Sequence, residues 1–277
     1  MPATTEPLWS GLVDDAAIFP PGDAPLDTAV RAYLERREPL VGAFVLRDTD
    51  LPHVEPGPPL AVVLTGGAGQ VAGPAALATR TGHTLAALEI ALRDPDDLAG
   101  NARRVVAAVD VARAAGDLDE DVAVHVELPA TPGPPSYGWL AAADEVAAAE
   151  LLLKFRTGGL DADAHPASAT LAAWIDAALD RETPFKCTAG LHRAVRHTGT
   201  DGVERHGFLN VLLATRRAFD GATPTDVVAT LEERDGATLA AAVGTEDLAG
   251  ARRWFRSFGS CSISEPLADL DALGVLA

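Results

Sequence analysis

Residues 150–188 read ELLLKFRTGGLDADAHPASATLAAWIDAALDRETPFKCT and contain one βα unit followed by the next strand. Two short apolar runs, Glu150–Phe155 and Pro184–Thr188, flank the alanine-rich stretch Ala169–Leu179. Apolar runs of this length favour buried parallel strands, and the alanine-rich stretch favours a helix. The segment therefore predicts a strand, a helix and a second strand of one parallel sheet.

The same alternation recurs along the chain, where six further apolar runs have the length and composition of buried strands. They are Leu12–Phe19, Val41–Leu46, Leu60–Thr65, Leu85–Leu92, Val122–Leu128 and Arg256–Ile263. Helical patterns separate them, including Leu26–Arg37 and Asp96–Ala115. Eight strands alternating with helices in 277 residues predict an α/β fold, a (β/α)8 TIM barrel that forms a single domain over residues 1–277.

The connection between the seventh and eighth strands is unusually long. Residues 198–250 provide room for two helices and an additional excursion. We expect a lid or an insertion in this extended connection.

The composition argues against several functional classes. The chain has 22 basic and 40 acidic residues, a formal charge of −18 that would repel nucleic acid and anionic bilayers. The first residues show neither the basic nor the apolar region of a secretory signal. We therefore expect a cytoplasmic protein with free thiols at Cys187 and Cys261, and a homodimer on base rates alone.

Two lysines stand out because the other 20 basic residues are arginines. An arginine stays charged, whereas a lysine can lose its proton and attack a carbonyl group to form a Schiff base. Lys154 and Lys186 therefore mark positions where arginine could not perform the chemistry that a lysine can. Chance retention of two lysines is the alternative.

The spacing of the two lysines is that of one βα unit, which places them on neighbouring strands at the end where barrel enzymes carry their active sites. Two ammonium groups roughly 6 Å apart would repel each other by about 3 kcal/mol, or about two pKa units. We expect Lys186 to lower the pKa of Lys154 in this way. The alternatives are two anchors for an anion, or side chains that point outward into solvent.

Several motifs in the sequence resemble the deoxyribose-phosphate aldolase group of class I aldolases. Residues 154–158, KFRTG, resemble the family's K-T-S-T-G, and residues 185–190, FKCTAG, resemble its F-K-x-[AS]-G-G. Residues 258–262, FGSCS, resemble the family's F-G-[AT]-S-S. Residues 13–20, VDDAAIFP, resemble more weakly the family's opening motif I-D-H-T-x-L-x-P. The resemblance implies that Lys154 forms the Schiff base and that Lys186 perturbs it.

The resemblance also implies a proton relay and a substrate-binding loop. The family's relay aspartate corresponds most closely to Glu89, and Glu127 competes for that role. In the strand-seven loop Leu191 replaces the family's second glycine, which puts a phosphorylated substrate in doubt. The residues expected to hold the distal end of the substrate are Arg156, Thr157, Gly158, Gly190, His192, Arg193, Gly259 and Ser260.

Two other functions stay open. His125 and Glu127 alternate on one strand and, with Asp14 and Asp15, offer ligands for a divalent metal in a hydrolase or isomerase. The third hypothesis is that the protein is a barrel without catalytic activity that serves in binding. The leading interpretation is a class I aldolase-like lyase that needs no cofactor and acts on a small carbonyl compound, preferably an anionic one.

Overall fold

The computed structural model describes residues 8–276. Eight parallel strands close into a barrel in which each strand pairs with the next along the chain and the last pairs with the first. The strands of the chain are β1 Val13–Asp15, β2 Val41–Arg47, β3 Pro59–Leu64, β4 Thr84–Ala91, β5 Ala123–Glu127, β6 Leu152–Arg156, β7 Phe185–Thr188, β8 His197–Thr198, β9 Glu204–Arg205 and β10 Phe255–Ser260. Strands β1 to β7 and β10 form the barrel, which confirms the predicted (β/α)8 fold.

Helices surround the barrel. They are α1 Leu26–Glu35, α2 Ala72–Thr81, α3 Leu98–Ala114, α4 Tyr137–Ala148, α5 Ser168–Asp180, α6 Phe208–Phe219, α7 Pro224–Glu232, α8 Gly236–Val243, α9 Leu248–Ala251 and α10 Ser264–Ala272. The sequence-predicted helices correspond to α1, α3 and α5 within about two residues at each end. Within residues 8–276, no helix combines the length and the apolar character needed to cross a bilayer.

Aromatic side chains pack behind the strands that carry the lysines. Phe155 on β6 and Phe185 on β7 lie with ring centroids 5.0 Å apart, and Phe185 stacks on Phe255 of β10 at 5.5 Å. All three rings are fully buried between the barrel and its helices. Because successive side chains of a strand point to opposite faces, this packing directs Lys154 and Lys186 into the barrel lumen.

The long connection before β10 differs in detail from the expectation of two helices and an excursion. Its first part is the antiparallel hairpin of β8 and β9, and four helices, α6 to α9, follow. Helix α6 is buried along most of its length and contacts α5, α7, α9 and β10. Most of the extension therefore adds helices to the outer layer. A lid role for the hairpin stays a prediction.

Candidate active site

Buried side chains of alternating charge cross the barrel lumen. Lys154 Nζ lies 2.7 Å from Glu89 Oε2 and 2.8 Å from Glu127 Oε2. Lys186 Nζ lies 2.6 Å from Glu89 Oε1 and 2.5 Å from Asp14 Oδ2. We call these five side chains the lumen charge chain. Both oxygens of Glu89 are occupied, one by each lysine, so this carboxylate sits between the two cations.

The strand register explains why these side chains meet. Lys154 pairs in register with Lys186 on one side and with Glu127 on the other. Glu89 lies on β4, one strand further round the barrel, and Asp14 lies on β1, on the far side of β10 from Lys186. Long lysine and glutamate side chains pointing inward from these positions span the lumen.

Asp14 is held in place by two further hydrogen bonds. Ser257 Oγ donates to Asp14 Oδ2 at 2.7 Å, and the backbone N–H of Ala43 donates to Asp14 Oδ1 at 3.0 Å. The carboxylate therefore accepts from a hydroxyl, an amide and the Lys186 ammonium. Hydrogen bonds to a carboxylate are shorter and stronger than those between neutral groups, so these contacts fix the position of the Asp14 side chain.

The electrostatics of the lysines correct one expectation from the sequence. Burial alone would lower the pKa of Lys154, but the charges of Glu89 and Glu127 outweigh it and raise the pKa above its usual value. The pKa of Lys186 is raised in the same way by Asp14 and Glu89. The prediction that Lys186 lowers the pKa of Lys154 was wrong, because it ignored the carboxylate that lies between them.

The carboxylates show the complementary effect. Burial alone would raise the pKa of Glu89, yet Lys154 and Lys186 hold it well below the usual range. The pKa of Glu127 is also lowered, with Lys154 and Arg156 overcoming the effect of burial. Glu89, Glu127 and the two lysines are therefore ionised near neutral pH.

The lumen charge chain approaches solvent at the C-terminal end of the barrel. Arg156 Nε donates to Glu127 Oε1 at 2.8 Å, and the Arg156 side chain is 42% exposed against 11% for Glu127 and 3% for Lys154. Arg156 is the last residue of β6 and Glu127 is the last of β5. Side-chain exposure therefore decreases from Arg156 through Glu127 to Lys154.

The loops after β6 and β7 pack tightly against each other beside Arg156. Thr157 Oγ1 donates to the carbonyl of Ala189 at 2.6 Å. Gly190 has φ of +78°, and a Cβ there would lie 2.7 Å from the carbonyl oxygen of Thr157. A Cβ on Gly158 would lie 2.7 Å from Gly190 Cα. These glycines are needed for the close approach of the two loops, and the substrate contacts predicted for all three positions stay predictions.

The remaining predicted substrate-binding residues lie around the rim. His192 Nδ1 lies 3.3 Å from Ser260 Oγ and 3.3 Å from Glu265 Oε2. Arg193 forms an ion pair with Asp269 of α10 at 2.8 Å. Gly259 pairs in register with Asp14 and Thr188 inside the barrel wall. Arg156 is the rim residue whose contact joins it directly to the lumen charge chain.

The four candidate metal ligands do not converge on one point. Asp14 is bonded to Lys186, and Glu127 is bonded to Lys154 and Arg156. Asp15 faces the other way and pairs at 2.5 Å with Arg36, the residue that follows α1. Over residues 8–276, no group of three or more His, Cys, Asp or Glu residues is arranged to hold a metal ion.

Sequence reasoning missed the partnership of Asp14 with Lys186 and the support from Ser257. From the sequence, Asp14 is a candidate metal ligand only. It lies in the stretch that resembles the family's opening motif, and this marks it as a polar position. The signal for Ser257 is its place one residue before Phe258 on β10, which turns it towards the lumen. Cys187 and Cys261 are free thiols, as predicted.

A comparison of the chain with protein families, with curated proteins and with solved structures finds no match.

Proposed function

We propose that the protein is a lyase of the class I aldolase type, in which Lys154 forms a Schiff base with a small carbonyl substrate. The observation that carries the proposal is the environment of the Lys154 ammonium, which is 3% exposed and hydrogen-bonded to two carboxylates. A lysine nucleophile needs a nearby group that can take its proton, and Glu127 lies 2.8 Å from Nζ. The resemblance to class I aldolases points to the same lysine.

The first step is proton transfer from Lys154 Nζ to Glu127 Oε2. It converts an ion pair into a neutral amine and a carboxylic acid without changing the net charge of the lumen. The amine lone pair then attacks the substrate carbonyl carbon, and one proton passes from the nitrogen to the carbonyl oxygen, which becomes the hydroxyl of the carbinolamine. Protonated Glu127 returns its proton to this hydroxyl, which leaves as water when the iminium forms.

Formation of the iminium frees one carboxylate. An ammonium has three N–H groups, so Lys154 can donate hydrogen bonds to both Glu89 and Glu127, whereas a protonated Schiff base has a single N–H. Glu89 remains fixed because Lys186 holds its second oxygen at 2.6 Å. The second oxygen of Glu127 is likewise held, by Arg156 Nε at 2.8 Å. Glu127 is favoured over Glu89 as the carboxylate that is released and carries the proton because it lies nearer to solvent, with 11% of its side chain exposed against 3% for Glu89. Glu89 and Lys186 act as positioning residues.

The bond-breaking step uses the iminium as an electron sink. Glu127 removes the proton of the substrate hydroxyl, the carbon–carbon bond to the hydroxyl-bearing carbon breaks, and its electrons form the enamine. An aldehyde or ketone leaves, the enamine carbon takes a proton, and water hydrolyses the resulting iminium to release the second product and Lys154. The lysine itself supplies the electron sink, so the sequence of steps uses no cofactor.

Arg156 is the residue best placed to hold an anionic end of the substrate. Its Nε is committed to Glu127, while the side chain remains 42% exposed at the opening. A guanidinium binds carboxylate or phosphate oxygens through its outer nitrogens, so this arrangement favours substrates with a carboxylate or phosphate distal to the carbonyl. The same residue would orient the Glu127 carboxylate.

The proposal can be tested without knowing the substrate. An iminium acidifies the neighbouring C–H bonds, so the protein should catalyse exchange of the methyl protons of pyruvate with deuterium in D2O, measured by proton NMR. Lys154→Arg should abolish this exchange. Adding Arg80→Lys to that variant restores the lysine count at an exposed position and should not restore exchange. Exchange that survives in Lys154→Arg, or that Arg80→Lys restores, would contradict the proposal.

A further inference from the structure

A cavity of about 460 Å³ enters the barrel from the end opposite Arg156 and Glu127. Its outer part is lined by residues near the first positions of the strands and by the end of α3. They include Arg113, Glu120, Val122, Glu150, Leu152 and Arg256. Because all barrel strands are parallel, these residues define the N-terminal face. Its inner part reaches Asp14, Lys186 and His125 in the lumen.

The cavity exists because small side chains fill the lower lumen. Ala43, Ala61, Ala87 and Ala123 project from four consecutive strands, β2 to β5, and line it. Barrels of this type normally fill this layer with bulky branched side chains that close the interior. Methyl groups in their place leave an apolar passage to the lumen charge chain.

His125 is an unpaired polar group in the inner part of this cavity. The residue is 5% exposed, and neither of its ring nitrogens has a hydrogen-bond partner among residues 8–276. Burial, together with the charge of Lys186, lowers its pKa to about 3, so the ring is neutral at physiological pH. A neutral imidazole presents one N–H donor and one acceptor nitrogen. Buried polar groups of this kind are almost always paired, so this ring requires a partner.

The charges around the inner cavity favour an uncharged partner. Asp14 and Lys186 form an ion pair at 2.5 Å, and the hydroxyl of Ser257 is already donated to Asp14. An anion here would be placed near Asp14, and a cation would be placed near Lys186. Transfer of an unpaired ion into such a site carries a large desolvation cost, whereas a neutral polar group with an apolar body does not.

We infer that the N-terminal cavity is a second binding site, which takes a small uncharged molecule with an apolar body and a group that both donates and accepts hydrogen bonds. The alanine methyl groups contact the apolar body, and the polar group pairs with one ring nitrogen of His125, to which it donates or from which it accepts according to the tautomer. A primary amide or a short alcohol has this chemistry. The inference does not depend on the proposed lyase function, which uses the opposite end of the lumen charge chain.

Isobutyramide is a suitable probe because its branched apolar body carries a primary amide, and an amide carbonyl does not form a Schiff base with lysine. Protein labelled with nitrogen-15 at histidine is titrated over the millimolar range, and the ring nitrogens of His125 are followed by NMR. Comparison with His125→Phe assigns these resonances among the seven histidines. Saturable shifts confined to His125 are expected.

Two leucine substitutions on one strand face provide the matched test. Ala87 and Ala91 lie on β4 two residues before and after Glu89, so Ala87→Leu fills the N-terminal cavity and Ala91→Leu fills the opposite side. Ala87→Leu should weaken isobutyramide binding at least about tenfold, and Ala91→Leu should leave it unchanged. If Ala87→Leu does not unfold cooperatively, the smaller change Ala61→Val takes its place.

The inference is overturned if isobutyramide causes no saturable shift of His125 in the wild-type protein. It is also overturned if the folded cavity-filling variant binds as tightly as Ala91→Leu. Neither result would affect the Schiff-base proposal, because the probe cannot react with Lys154.

Discussion

Lys154 and Lys186 are register partners on neighbouring strands, yet Glu89 hydrogen-bonds to both of their ammonium groups. The two cations are therefore separated by an anion. With Asp14 and Glu127 beyond the lysines and Arg156 at the surface end, three carboxylates face three cations. The lumen is electrically balanced, and each proton transfer within it exchanges an ion pair for a neutral pair.

Glu89 should be the most important single residue for the stability of this arrangement. Glu89→Gln leaves two buried lysines with one carboxylate each, and breaking a buried ion pair in this way costs about 3–5 kcal/mol of unfolding free energy. The measurement is chemical denaturation at neutral pH. Glu145→Gln is the control, because its ion pair with Arg103 has the same 2.7 Å length but is largely exposed. It should cost less than about 1 kcal/mol. Equal losses in the two variants would contradict the account.

The pH profile of Schiff-base formation should show that Glu127 accepts the Lys154 proton. The pKa of Glu127 is lowered and that of Lys154 is raised, so the pair keeps one proton from about pH 6 to pH 9. Transfer within the pair makes the rate of adduct formation with pyruvate nearly independent of pH across this range. The rate is measured by trapping with borohydride at timed intervals.

Glu127→Gln removes the internal acceptor, so that solvent must take the proton. The rate in this variant should fall and should rise about tenfold for each pH unit, as it does for an ordinary lysine. A wild-type profile with the same slope as Glu127→Gln would show that Glu127 does not carry the proton.

His125 should make the protein less stable in mild acid. Its pKa is lowered to about 3 in the folded state, against about 6.5 in the unfolded chain, so the unfolded state binds the additional proton as the pH falls below 6.5. The contribution of neutral His125 to the free energy of unfolding is therefore fully present above pH 6.5. About 2 kcal/mol of this free energy is lost between pH 7 and pH 5. His125→Gln should reduce the loss of unfolding free energy by that amount. Equal losses in wild type and variant would exclude a buried neutral His125.

Gly190 should be needed for the packing of the loops at the opening and not only for its backbone conformation. Gly190 and Gly221 both have positive φ, +78° and +86°, but a Cβ at Gly221 would meet nothing within 4 Å. Gly221→Ala therefore bears only the left-handed backbone cost of about 1–2 kcal/mol. Gly190→Ala adds a clash with the Thr157 carbonyl and should cost about 1–3 kcal/mol more in thermal unfolding. Equal losses would contradict the close approach of these loops.

The fold was predictable because its signals are local. Each barrel strand is a short apolar run between helical patterns, and eight such runs define the architecture without knowledge of long-range contacts. The helices of residues 198–250 were less predictable, since a long alanine-rich and polar stretch does not specify how many times the chain turns. Where α7, α8 and α9 begin and end depends on how they pack against α6.

The two lysines were predictable from composition, but their electrostatics were not. The spacing along the chain places Lys154 beside Lys186, and repulsion follows only if nothing lies between them. Glu89 is 65 residues before Lys154 in the sequence, and its position between the lysines depends on the closure and register of the barrel. The pairing of Asp14 with Lys186 depends on closure in the same way, because the two residues are 172 positions apart in the sequence and their strands, β1 and β7, flank β10.

The most direct test of the account is the site of covalent trapping. Purified protein is reduced with borohydride in the presence of a panel of small aldehydes and keto acids, and the adduct is located by intact mass and peptide mapping. The account predicts one stable adduct on Lys154, which is lost in Lys154→Arg and weakened in Lys186→Arg. No adduct with any carbonyl compound, or an adduct that remains in Lys154→Arg, would contradict the assignment of Lys154 as the nucleophile.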